Sequence, residues 1–124
     1  MILDTNALLW LLEDDPALGQ EARQHIGTRR VWFSAVSITE ATTKSALGKL
    51  RNADPLAGAL AAGLTELALS AKHGMAIANF PTLLKHDPFD RMLLAQAHVE
   101  GLPLLTSDRV LLAAAPDLTI DARA

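Results

Sequence analysis

The chain has 124 residues, half of them hydrophobic, with 14 acidic and 11 basic side chains and a formal charge of −3. This length suits a single domain, 1–124, with a real core, and the absence of cysteine excludes both a disulfide framework and a thiolate metal site. With two Trp, three Phe and no Tyr, the composition argues against a base-stacking platform and against a binder that works by positive charge alone.

In chain order, Met1-Ile2-Leu3 reads as a short buried strand ending at Asp4-Thr5-Asn6, all good turn or N-cap residues. Ala7–Leu12 follows as a helix that is either buried on most sides or offers Trp10 to an interface. Asp14-Asp15-Pro16 breaks it, and Pro16 is expected to open a second helix from Ala17 to Ile26. Val31-Trp32-Phe33 reads as a strand, and Ser37 is expected to cap a helix running to Leu47, with Gly48 at its C′ position. Asp54-Pro55 starts a helix ending near Gly63. Glu66–Leu69 is a weak strand candidate, and Ser70 caps a helix over Ala71–Ala78. Pro81 and Pro88 bracket a loop. Phe89–Glu100 is a helix stopped by Gly101, Leu104-Leu105-Thr106 a strand, and Asp108 the cap of a helix through Ala114; a last strand covers Leu118–Ile120. Alternating strands and helices predict an α/β fold with a mainly parallel sheet of about four to five strands and helices on both faces. No run is long enough to span a bilayer and strand-like residues follow Met1 directly, so a cytoplasmic protein without a membrane segment is expected.

Each acid near a helix start has a structural explanation. Ser37-x-x-Glu40 has the form of a capping box, Asp87 and Asp90 flank Pro88 as N-cap and N3, and Asp4 and Asp108 are natural caps. Their placement adds something. Asp4 and Asp108 both follow strands expected to be parallel, so both emerge at the carboxyl edge, where such sheets bind ligands. Glu40 lies near the start of the helix after the second strand, and Asp90 opens the helix that leads into the Leu104 strand. Two unit charges ~4 Å apart repel by about 4 kcal/mol at an effective dielectric near 20, whereas a helix N-terminus returns only about 0.3–1 kcal/mol. Such a cluster is tolerable if a cation sits in it or if some of the acids are protonated, and oxygen ligands suit Mg²⁺ or Mn²⁺.

These residues resemble a known family. Ile2-Leu3-Asp4-Thr5-Asn6 with Leu9, Ser34-x-x-Ser37-x-x-Glu40-Ala41, Lys44 with Ala46-Leu47-Gly48-Lys49-Leu50, His86-Asp87-Pro88-Phe89-Asp90-Arg91 with Leu94-Ala95-Gln96-Ala97, and Leu104-Leu105-Thr106-Ser107-Asp108 run in the order found in PIN-domain ribonucleases. The likeness is to those that form the toxin half of VapBC toxin–antitoxin pairs. It implies a three-layer α/β/α PIN-like fold and makes Asp4, Glu40, Asp90 and Asp108 the catalytic, metal-binding acids. It further implies Mg²⁺- or Mn²⁺-dependent endoribonuclease action on RNA, a homodimer and a cognate antitoxin.

On that reading, Thr5, Asn6 and Thr106 are candidates to hydrogen-bond the carboxylates or the phosphate, and Lys44, Arg91 and Arg109 to hold phosphates at the rim. Lys44 is equally placed for a plain i,i+4 pair with Glu40. The four His residues show no paired ligand spacing, which argues against a metal-free His ribonuclease. His25, His73 and His98 read as helix-surface residues, while His86 is near enough to the Asp87 block to touch substrate. Two rival readings are a catalytically idle PIN-like binding module acting through a protein partner, and a receiver-like phosphoacceptor. The second lacks an acceptor Asp after Val31-Trp32-Phe33, where Ser34 stands instead.

Overall fold

Side chains alternate across the short strands, and that alternation builds the layers. Ile2, Trp32 and Leu104 pack into one hydrophobic cluster, while their neighbours Leu3, Phe33 and Leu105 pack into another. The computed structural model describes residues 1–48 and 54–124; Lys49 and Leu50, part of the motif noted above, lie outside the described residues. Among the described residues, β1 (Ile2–Leu3), β2 (Trp32–Ser34), β3 (Thr65–Leu67), β4 (Leu104–Thr106) and β5 (Thr119–Asp121) form one sheet in the order β3-β2-β1-β4-β5. Every pairing is parallel, with Ile2 opposite Trp32 on one side and Leu104 on the other. Sheets buried on both faces need apolar residues at successive positions, which is why Ile2-Leu3 and Leu104-Leu105 carry no polar alternation.

The helices are α1 (Thr5–Leu12), α2 (Gln20–Thr28), α3 (Ala35–Ala46), α4 (Pro55–Ala61), α5 (Ala71–Ala76), α6 (Pro88–Glu100) and α7 (Arg109–Ala114). Ala7 and Leu8 of α1, Ala22 of α2 and Ala59 of α4 cover the Leu3 face. Leu93, Leu94 and Ala97 of α6 and Leu111 of α7 cover the Ile2 face. This is the expected three-layer α/β/α arrangement. The chain steps outward from β1 to β2 to β3, then crosses back to lay β4 on the far side of β1. The strand order reverses between β1 and β4, so the crevice for ligands lies at their carboxyl ends. Among the described residues, no helix is long and apolar enough to cross a membrane.

Several boundaries differ from the sequence reading. Pro16 does not open α2. The Asp15 carboxylate accepts from the Ala17 amide at 2.8 Å, Leu18 turns into the core, and the helix starts at Gln20 after Gly19. Ser37 does not cap α3. Ser34 does, accepting from the Val36 amide at 3.0 Å, which places Ser37 inside the helix and leaves Glu40 free of any capping box. The third strand is Thr65–Leu67 and the fifth Thr119–Asp121, each displaced by about one residue or more because pairing register, not composition, decides where an edge strand begins. His73 is no surface residue. It is buried, and its Nδ1 accepts from the Ser70 amide at 2.9 Å in a capping box. Trp10 is partly buried against the Leu3-face cluster, with the Arg123 guanidinium 5.0 Å from its ring centre.

Gly19 is required by close packing. A β-carbon there would come within 1.8 Å of the Ala124 carbonyl oxygen, and the Gly19 amide donates to the Ala122 carbonyl at 2.9 Å. Gly19→Ala must push this segment away from α2. The expected cost is about 1–3 kcal/mol, read as a lower midpoint in urea unfolding; an unchanged midpoint would mean the Ala122–Ala124 segment contributes nothing to stability.

Candidate metal centre

The end of each central strand delivers one acid. β1 runs straight into Asp4, which caps α1: its Oδ1 accepts from the Ala7 amide at 2.7 Å. Its Oδ2 accepts from the Thr106 hydroxyl at 2.6 Å and the Ser107 amide at 3.4 Å, both contributed by β4 and the turn after it. β4 in turn runs into Asp108, which caps α7 through Oδ1 (Val110 amide at 2.8 Å, Leu111 amide at 3.1 Å). Capping occupies one oxygen of Asp108 and leaves Oδ2 for the crevice, where it lies 2.9 Å from His86 Nε2. A cap and a ligand are therefore compatible roles for a single carboxylate.

Asp87 caps α6 as expected, accepting from the Phe89 and Asp90 amides at 2.9 and 3.2 Å. That holds the first turn of α6 so that Asp90 Oδ2 sits 3.5 Å from the same His86 nitrogen. One donor atom from each of His86, Asp90 and Asp108 falls within 4.8 Å of the others. Glu40, on α3, is buried beside α1. It accepts from the Thr5 hydroxyl at 2.6 Å and pairs with Lys44 at 2.7 Å, while Ser37 Oγ lies 3.1 Å from the Thr5 hydroxyl.

The electrostatics link these groups. Burial drives the Asp4 carboxyl above its ordinary value, hydrogen bonds from Thr106, Ala7 and Ser107 oppose the rise, and the Glu40 charge adds to it. Burial, followed by the charges of Asp87, Asp108 and Asp4, pushes Asp90 up to about 7. At Asp108 burial also acts upward, but the Leu111 and Val110 amides and His86 outweigh it and hold the carboxyl below its ordinary value. Asp90 is thus buried and crowded to the point of retaining its proton near neutrality. Oxygen donors with one imidazole fit a hard divalent cation such as Mg²⁺ or Mn²⁺.

Thr5 and Thr106 touch the acids and Lys44 pairs with one of them. Among the described residues the close-set donor group is His86, Asp90 and Asp108; Asp4 and Glu40, expected to join it, stand outside, Asp4 acting on Asp90 and Glu40 on Asp4 through their charges. Other candidates are placed differently. Asn6 is exposed on the first turn of α1. Arg109 is exposed and pairs with Asp121 at 3.1 Å. Among the described residues, Arg91 contacts none of the acids at ion-pair distance, and its buried Nε has no hydrogen-bond partner. His86 is the residue whose central position the sequence understated. Its signal was the four-residue spacing to Asp90, which places the two side chains on one side of the chain's entry into α6. Thr106 is fully buried and donates to Asp4, while its oxygen accepts from the Asp108 amide at 3.0 Å. Thr106→Val keeps the shape and removes both bonds, so a loss of about 1–3 kcal/mol is expected in chemical denaturation; wild-type stability would show that the bridge is energetically idle.

In its fold the chain resembles a chain of a toxin–antitoxin complex from Klebsiella pneumoniae, with 18% identity, a TM-score of 0.68, and coverage of 98% of this chain and 96% of that one. It also resembles a chain of VapBC2 from Rickettsia felis bound to a DNA fragment from their promoter, with 16% identity, a TM-score of 0.66, and coverage of 97% and 96%. No curated protein matches the sequence significantly. The PIN domain model matches residues 1–116, nearly the whole chain and all four of the acids Asp4, Glu40, Asp90 and Asp108, and the protein belongs to the PIN domain family.

Proposed function

We propose that this chain is a divalent-metal-dependent endoribonuclease, a VapC-like toxin whose partner is a cognate antitoxin, and that residues 1–124 act as one domain. The clustering of His86, Asp90 and Asp108 at the reversal of strand order, with Asp90 raised to about 7 partly by the Asp4 charge, carries this reading. An arrangement that costs folded stability without a cation is best explained by binding one. Asp90, Asp108 and His86 hold donor atoms close enough to share an ion, with Asp4 across the crevice. Glu40, bound by Thr5 and Lys44, adds its carboxylate from the α3 side. When bound, Mg²⁺ or Mn²⁺ would acidify a water and offset charge on the scissile phosphate.

The protein's own groups prepare for that task. Thr106 and the Ser107 amide hold Asp4 Oδ2 while the Ala7 amide occupies one lone pair of Oδ1, so the lone pair left on Oδ1 has a set direction. Thr5 does the same for Glu40. His86 Nε2 bridges Asp90 and Asp108, 3.5 and 2.9 Å from their Oδ2 atoms. Lys44 offsets the Glu40 charge, and its ammonium, half-exposed, is positioned to release Glu40 and meet a phosphate at the rim. Arg91 and Arg109 are the further candidates for phosphate contacts, and Thr5, Asn6 and Thr106 for contacts to carboxylate or substrate.

Both similar structures are toxin–antitoxin assemblies whose matched chains are nearly the same length as this one, which supports the antitoxin partner. A homodimer and a cytoplasmic setting belong to the same proposal as what the family resemblance implies. The test is incubation of the purified protein with total RNA and Mn²⁺. Mapped, discrete cleavage that stops on adding EDTA is expected. Intact RNA under Mn²⁺, together with tight binding to the product of an adjacent reading frame, would replace the nuclease with a binding module.

A further inference from the structure

The opposite edge of the sheet carries a second feature that the acid cluster does not use. Arg29 and Arg30 precede β2, Leu102 and Pro103 precede β4, and Glu100 ends α6. Together with Trp32 these residues line an open pocket of about 550 Å³. The Arg30 guanidinium lies over the Trp32 ring, 4.5 Å from its centre. Among the described residues, Arg23, Lys44 and Arg109 each have a carboxylate at ion-pair distance, and Arg29 and Arg30 have none. Both are exposed and adjacent in sequence. The one carboxylate in the pocket wall, Glu100, lies 3.9 Å from His73 instead. In a chain of net charge −3, this edge gathers positive charge while the far edge gathers negative charge.

A plain structural role accounts for only part of this. Arg29 follows the last turn of α2, where a cation favours the helix dipole, and Arg30 gains from the Trp32 face. Neither role requires a pocket with an apolar floor. A bare anion would use the cations and leave Leu102, Pro103 and Trp32 idle, whereas an apolar ligand would leave two guanidiniums without counter-ions. The volume is in the small-ligand range, about 300–1,000 Å³. A guanidinium stacked on one face still offers its other face and its N–H edge, one suited to a planar base and the other to phosphate oxygens.

We propose that this pocket binds a nucleotide: phosphate on Arg29 and Arg30, and base against the Arg30–Trp32 stack and the Leu102–Pro103 floor. The site is separate from the acid cluster and does not depend on the cleavage reading. The test is done in EDTA, so that no divalent cation takes part, in a Trp10→Phe background so that emission reports Trp32. AMP, adenosine, inorganic phosphate and a six-nucleotide RNA are titrated. Saturable quenching by AMP is expected, with adenosine and phosphate each at least about tenfold weaker, since a charged hydrogen bond of about 1.5–3 kcal/mol is lost in the first case. Arg29→Gln and Arg30→Gln should each weaken AMP by about tenfold, and Glu100→Gln should tighten it. RNA binding more tightly than AMP assigns the pocket to a nucleotide within a strand, and equal or weaker binding assigns it to a free nucleotide. No saturable change with AMP or RNA at millimolar concentration, or AMP binding indifferent to Arg30→Gln in a variant of unaltered circular dichroism, would overturn the proposal and leave the nuclease reading untouched.

Discussion

Asp90→Asn is expected to lower RNA cleavage by more than about a hundredfold, beyond what the loss of a ligand's hydrogen-bond partner usually costs, while the protein stays folded. Asn has the shape of Asp and cannot carry the charge that would hold a cation beside Asp108 and His86. The substitution removes a ligand and also a source of repulsion, because Asp87, Asp108 and Asp4 all act on Asp90 in the same unfavourable direction. Loss of activity can therefore be separated from loss of structure. Mn²⁺ titration of the variant, followed by calorimetry, should show affinity reduced to a comparable extent. Wild-type cleavage by a clean Asp90→Asn preparation would remove Asp90 from the mechanism.

The second large effect concerns stability and its dependence on pH. The folded Asp90 carboxyl keeps its proton up to about pH 7, whereas an unfolded Asp gives it up near pH 4. Between these values the folded state binds more protons, so raising the pH through the window lowers the stability of the metal-free protein. For a fully buried carboxyl, each pH unit across that window would cost about 1.4 kcal/mol. Asp90 is partly exposed and screened, so a net loss of roughly 1–2 kcal/mol is expected once that screening is allowed for, a fall in Tm of several degrees. Asp108, held below its ordinary value, acts the other way and in a lower window: its contribution is present above about pH 4 and is lost as the pH falls further. In EDTA, Tm should therefore drop from pH 5 to pH 7.5. Asp90→Asn should shrink the drop, leaving the part due to the raised Asp4 carboxyl, and melt higher than wild type at pH 7.5. Saturating Mn²⁺ should raise the wild-type Tm at pH 7.5, by about 2.7 kcal/mol of stability at a hundred times its Kd, with less effect at pH 5. A metal-free Tm that rises from pH 5 to pH 7.5 would contradict the crowding at Asp90.

These two results bear on one physical point. The site destabilises the empty fold, and the charge pattern responsible is the same one that would hold a cation. A PIN-like module retained only for binding a protein partner would have no need to keep Asp90 crowded in this way. The Asp90→Asn variant is therefore informative even in the absence of a known RNA target, since its stability alone reports the crowding.

Much of this was legible in the residues. Ile2-Leu3 and Leu104-Leu105 announce strands buried on both faces, because polar alternation is absent and acids follow at once. Asp87-Pro88 and Asp108 mark helix starts by local chemistry that needs no partner from elsewhere in the chain, and both caps form as expected. Local chemistry misled where two caps competed. Ser34 and Ser37 are both good N-caps; Ser34 prevails because its hydroxyl also donates to the buried Gln96 side chain at 2.5 Å, a partner from α6 that is distant in sequence. Pro16 lost to Asp15 and Gly19 for a similar reason, since Gly19 alone can admit the backbone near Ala124.

The sequence by itself determined the α/β class, the strand-ending acids Asp4 and Asp108, and the helix-start acid Asp90, because each follows from short-range periodicity and capping. Only the tertiary structure decided which acids meet. The crossover that sets β4 beside β1 brings Thr106 within 2.6 Å of Asp4. The turn into α6 lays His86 between Asp90 and Asp108. Packing of α3 on α1 gives Glu40 to Thr5 rather than to a cap. Capping acts across three or four residues and can be read along the chain, whereas the crowding that raises the Asp90 pKa depends on contacts between segments far apart in sequence, which exist only once the sheet has been assembled.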